Sequence, residues 1–187
     1  MSADFRLYIP PRRRLILGSG TWQIPRPRLG QRDTEAGRIM ATNTIQLHRV
    51  VRAKPKNVYR AFVDPDAMNK WLPPNGFTGK VHHMDAKVGG SFKMSFTNFT
   101  SGKSHSFGGE FLELVPHERL RYTDKFDDPN LPGVMQVTVT LKEVSCGTEL
   151  TVVQEGIPDV IPTEACYLGW QESLILLAKL VEAEIPD

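Results

Sequence analysis

The residues of this 187-residue sequence that could do chemistry are five histidines, two cysteines and a scatter of strand carboxylates. Their spacing argues against most reactions. His82 and His83 are adjacent in a stretch of strand character, so their side chains point to opposite faces and cannot share one ion. His48, His105 and His117 stand apart, without ligand spacing. Cys146 and Cys166 form no CxxC pattern and are expected to be small buried or turn residues rather than nucleophiles. No nucleophile elbow, HExxH, phosphate loop or dinucleotide fingerprint is present. Gly89-Gly90 and Gly108-Gly109 open no helix, so they read as turn or bulge residues. No metal and no cofactor is expected. One weak catalytic candidate remains, Glu110. A carboxylate facing an apolar interior has a raised pKa and can serve as a general base; a solvent-facing strand glutamate is the plainer expectation.

The aromatic residues are more informative. Trp71, Phe77, Phe92, Phe96, Phe107, Tyr122 and Trp170 fall at strand and helix periods that turn several of them inward together. Such residues pack a core, or they line an apolar ligand site with a few polar groups. The expected lining is Trp71, Phe77, Met94, Phe96, Phe107, Tyr122, Trp170 and Leu174, with Glu110, Tyr122 and Gln136 as polar groups within reach. Gly169 lies inside a helix, where glycine costs roughly 1 kcal/mol against alanine. It marks either close packing or room for a ligand.

These residues need elements to position them. Thr163–Ala183 is the only long amphipathic helix, with Cys166, Trp170, Leu174, Leu177 and Val181 on one face. Thr163 is placed to cap it and Pro186 to stop it. Thr44–Val51 reads as a strand. Pro55 then starts one short helix, and Asp64-Pro65 caps and starts a second that ends near Trp71. From Phe77 to Glu155 come about six alternating strands separated by turn signals, the clearest being Val134–Val144. Short turns force antiparallel pairing. The expected fold is α+β: a curved antiparallel sheet around a long C-terminal helix, with two short helices after the first strand.

The composition is that of a globular domain, 40% hydrophobic and 24% charged. No apolar run is long enough for a membrane span, and two cysteines give no disulfide framework, so a cytoplasmic location is expected. The net charge of +2 hides an asymmetry: residues 1–39 carry eight arginines against three acids, while residues 40–187 carry fifteen basic and eighteen acidic residues. The domain is therefore mildly acidic and a poor partner for nucleic acid. Residues 1–39, rich in arginine and proline, are expected to be a disordered extension, with Met40 as the natural start. Residues 40–187 form the domain.

Several short motifs, in order, resemble one family. They are Ala53-Lys54-Pro55 with Val58, Asp64-Pro65 followed by Trp71-Leu72-Pro73, Asp85 to Gly90, Gly109 to Leu120, Gly147-Thr148-Glu149-Leu150, and Gly169-Trp170. Across about residues 42–184 the pattern is similar to the START/Bet v 1-like (SRPBCC) helix-grip superfamily, within it to the C-terminal domain of the activator of Hsp90 ATPase. The resemblance implies a cavity between the long helix and the sheet, and binding of a small apolar molecule such as a lipid or polyketide. It also implies two alternatives: a protein-interaction module, with a chaperone (Hsp90) or homodimer contact, and a cyclase- or dehydratase-type enzyme. An open interior favours binding, a filled interior with an exposed apolar patch favours interaction, and an interior polar dyad with one strongly shifted pKa favours catalysis.

Overall fold

The computed structural model describes residues 43–183. The expected extension, the start at Met40 and the stop at Pro186 lie outside these residues. The elements run β1 (Ile45–Val51), α1 (Pro55–Val63), α2 (Pro65–Trp71), β2 (Phe77–Met84), β3 (Ser91–Asn98), β4 (Ser104–Val115), β5 (Arg119–Phe126), β6 (Met135–Val144), β7 (Gly147–Glu155) and α3 (Thr163–Val181). The seven strands form one antiparallel sheet in the order β1-β7-β6-β5-β4-β3-β2. The sheet curls into a half-barrel, the helix-grip α+β architecture that the sequence leads one to expect. No helix among the described residues is long and apolar enough to cross a membrane.

Local chemistry fixes each join. The Asp64 carboxylate accepts from the backbone N–H groups of Asp66 (3.0 Å) and Ala67 (3.1 Å), capping α2, and Pro65 occupies the first turn. The Ala67 N–H, with those of Asp66 and the Arg60 guanidinium, holds this carboxyl below its ordinary pKa. The long helix begins differently from expectation. Pro162 is its N-cap, and Thr163 lies inside the first turn with its hydroxyl directed at Glu164 rather than at a backbone N–H.

β1 and β2 are the two sheet edges, and α1 and α2 span the chain between them. α1 packs over β6 and β7, α2 against β2, and α3 along β1, with all three helices touching one another. Side chains of α3 and of its C-cap tie the helix to the segments around α1 and α2. Ser173 Oγ donates to the Leu72 carbonyl (2.6 Å), Glu172 accepts from the Asn75 N–H (3.0 Å), and Glu182 accepts from the Arg52 N–H (2.9 Å).

The glycine pair in β4 works through close approach. A Cβ on Gly108 would lie 2.3 Å from the Phe92 carbonyl oxygen, and one on Gly109 would lie 1.8 Å from that of Thr123. The register shift against β5 falls later, between Phe111 and Glu113. The neighbouring backbones thus fill the space of a side chain at both glycines, and the strand bends just beyond them.

Candidate ligand-binding site

Strand alternation sorts the inner face of the sheet into two zones. On β6 and β7 the inward residues Val137, Val139, Leu141, Leu150 and Val152 are buried beneath α1. On β2 to β5 the inward residues nearest one end of the sheet are only half-buried: Phe77, Phe96, His105, Asp124 and Phe126. Four of these rings form one cluster with the buried Phe107. Phe77 meets His105 at 5.9 Å, Phe96 meets Phe107 at 4.8 Å and His105 meets Phe126 at 6.3 Å between ring centres. Burial lowers the His105 pKa, which favours a neutral imidazole.

α3 approaches this zone through its first half at Cys166, whose thiol feels the Asp124 charge. Its second half is tightly packed, with Leu174, Leu177 and Ala178 buried. Its first half is not: Cys166, Gly169 and Trp170 stay half-buried, and a Cβ on Gly169 would meet nothing within 4 Å. Close packing therefore does not explain this glycine. Its flank of the helix carries Glu172 and Ser173, the residues bonded to the segment after α2. The half-open end of the β2–β5 inner face and the loosely packed first half of α3 meet at Asp124 and Cys166, and this aromatic face is termed the trough.

A small polar group sits at its inner end. Trp170 Nε1–H donates to Gln154 Oε1 (2.8 Å), and the Gln154 amide donates to Met135 Sδ (3.1 Å). Beside Met135, in register with it across β5 and β6, is Asp124. Its Oδ1 is buried and has no hydrogen-bond partner among the described residues. Burial pushes this carboxyl up to about 7, against the smaller opposing effect of the Lys125 backbone N–H. Burial also pushes the Cys166 thiol up to about 11, with the Asp124 charge adding to it. The Tyr122 hydroxyl is raised as well, by its own burial first and by Asp124 second. Asp124 lies deep in the protein yet keeps some accessible surface.

The expected lining residues fall into separate groups. Phe77, Phe96 and Phe107 belong to the trough cluster, and Trp170 stands over it. Tyr122 is buried in a second aromatic group, 5.6 Å from Phe92 and 6.1 Å from Phe111. Trp71 is fully buried away from the trough, 4.7 Å from Phe62, with Nε1–H donating to the Ala61 carbonyl (2.8 Å). Met94 and Leu174 are buried core. Glu110 is exposed, and Gln136 alternates with the buried Met135 and Val137. Two open clefts lie elsewhere. One of about 640 Å³ involves Pro55, His117, Arg119 and Lys142, and one of about 140 Å³ lies between β1 and α3 at His48, Tyr167 and Ile175.

The family model described as Activator of Hsp90 ATPase homolog 1-like protein matches residues 52–182. The chain belongs to this family. A crystal structure of a protein from Chromobacterium violaceum is 63% identical over 76% of this chain and 99% of that one, with a TM-score of 0.75. A protein from Nitrosomonas europaea is 24% identical over 75% of this chain and 94% of that one, with a TM-score of 0.65. An AHSA1-like protein from Aeromonas hydrophila is 20% identical over 74% of this chain and 92% of that one, with a TM-score of 0.62. No curated protein matches the chain.

For this activator-homologue domain, the polar residues that matter in the trough are Asp124 and Gln154, and the search by residue type passes over both. The signal for Asp124 is present in the sequence. Leu120, Tyr122 and Phe126 share one face of β5, so period two places residue 124 on the same inner face. A carboxylate at an inward position of an apolar strand is the informative exception. Gln154 follows the same rule after Leu150 and Val152.

Proposed function

We propose that this protein binds a small, mainly apolar molecule in the trough between the first half of α3 and the β2–β5 half of the sheet. One observation carries the reading: inward aromatic side chains that a filled core would bury remain half-open here, on the same sheet whose other half is closed. Apolar sites with a few placed polar groups have this make-up. The membership in a helix-grip family supports it. The test is thermal denaturation of the full chain with a panel of fatty alcohols, sterols and flavonoid-like polyketides. A ligand that binds only the native state raises Tm in step with its concentration. No rise with any apolar compound would set the proposal aside.

Two other readings each have an observation in their favour. Tyr167, Leu168 and Ile175 expose an apolar strip on the outer side of α3, at 40%, 48% and 43%. That strip suits a protein partner, such as a chaperone or a second copy, and a pull-down with purified Hsp90 or a sedimentation run tests it. The raised pKa of Asp124 suits a general acid–base role. Conversion of a bound polyketide-like probe, lost in Asp124→Asn, would identify that role.

A further inference from the structure

The donors and acceptors of the trough do not balance. Trp170 Nε1–H is taken up by Gln154 Oε1, and the Gln154 amide by Met135 Sδ. Tyr122 stands beside Asp124 on the same face of β5, in a ring of apolar side chains. Among the fully buried side-chain oxygens and nitrogens of the described residues, one has no partner, the Oδ1 of Asp124. An unmade hydrogen bond at a buried carboxyl is costly, more so for the ionised form. Its surroundings offer no remedy. Met135 faces it from β6, and Cys166 from α3 is close enough for its thiol to feel the charge. Across β4 the register that runs from Gly108↔Lys125 to Phe111↔Tyr122 sets Gly109 opposite, with no side chain to reach it.

Resting on the reading of the trough as a ligand site, we propose that Asp124 is its specificity residue, selecting an apolar molecule with one hydrogen-bond-donating head, a hydroxyl or an amine. The aromatic wall of Phe96, Phe107 and Phe126 takes the apolar body, and the head donates to the Asp124 carboxyl group. A carboxylate-headed molecule of the same body is rejected once Asp124 has lost its proton, because it then brings a second acceptor and a second negative charge. The groups facing Asp124 do not confuse the pH dependence. Tyr122 and Cys166 are both pushed upward, the thiol to about 11, so both stay neutral through the range in which Asp124 loses its proton at about 7.

The test uses decanol, decylamine, decanoate and methyl decanoate, which share one apolar body, titrated into the full chain at pH 6 and pH 8. Decanol and decylamine are expected to bind at least about tenfold more tightly than methyl decanoate, the range of one well-placed buried hydrogen bond. Decanoate should weaken from pH 6 to pH 8, as Asp124 loses its proton, and should be the weakest of the four at pH 8. Asp124→Leu should reduce all four to the methyl decanoate level. Asp124→Asn keeps the shape and an acceptor but not the charge, so it should keep decanol above methyl decanoate and weaken decylamine at pH 8. Equal affinity for all four in the wild type, or a preference that survives in both variants, overturns the inference and leaves apolar binding standing. No binding of any probe by the wild type removes the ligand-site reading itself, and the inference with it.

Discussion

Along β6 and β7 the inward side chains Val137, Val139, Leu150 and Val152 are closed off, at 0–1% exposure. At one end of β2 to β5 the inward Phe77, Phe96, His105, Asp124 and Phe126 of the same sheet keep accessible surface, while Phe92, Met94, Phe111 and Tyr122 further along these strands are buried. The two zones share strand geometry and register. They differ in their cover. α1 lies directly over β6 and β7, while α3 runs along β1 and its loosely packed first half reaches the second zone at Cys166, beside Asp124. A curled sheet closes where a helix fills its concavity and stays open where the helix is held away. The bonds of Glu172 and Ser173 to the segment after α2 hold α3 in that position.

Unfolding experiments can break this contrast. The largest effect is expected in the filled core between the helices: Trp71→Ala should cost about 3–5 kcal/mol in urea denaturation, since it empties a core site and orphans the Ala61 carbonyl. Phe96→Ala in the open zone should cost well under half of that, about 1–2 kcal/mol, because its ring is already partly hydrated. Equal losses at the two sites would mean the zones are packed alike.

Asp124 gives the next contrast, through pH. Its folded pKa of about 7 stands above the unfolded value of about 3.9. Between these values the folded state keeps a proton that the unfolded state has released. Its contribution to stability is therefore whole below about pH 4 and is lost as pH rises through about 7. Asp124→Asn should remove this slope and stabilise the protein at pH 8 by roughly 2 kcal/mol. Denaturation midpoints of both proteins at pH 5 and pH 8 check it, and a parallel pH response in the two would contradict it.

Smaller effects sharpen the account of α3 and α2. Gly169→Ala should stabilise by about 1 kcal/mol, as helix propensity gains without a clash. A loss of stability would show that the helix is packed tightly at that point after all. Asp64→Ala should cost about 1 kcal/mol through the lost cap on α2.

Much of the fold is legible in the sequence because its signals are local. Prolines at 55 and 65, the Asp64 cap, the clean alternation of β6 and the Ser145-Cys146 turn each settle one element. Trp71 shows where local signals end. Its type suits a ligand wall as well as a core, and only its seat against Phe62 decides. The open zone is harder still to read, since half-burial depends on how far a helix stands from a sheet. Asp124 could have been found by its parity with Tyr122 and Phe126, but searching for pairs and motifs skips a lone acid in a strand. Its missing partner is a property of packing alone.

The most direct test compares two indole N–H signals, those of Trp71 and Trp170, as decanol is titrated into the full chain. The account predicts a saturable shift at Trp170, with accompanying shifts at Cys166 and Phe126, while Trp71 stays where it is. A shift at neither indole, or the largest shifts on the outer strip of Tyr167 and Ile175, would contradict a ligand site in the trough.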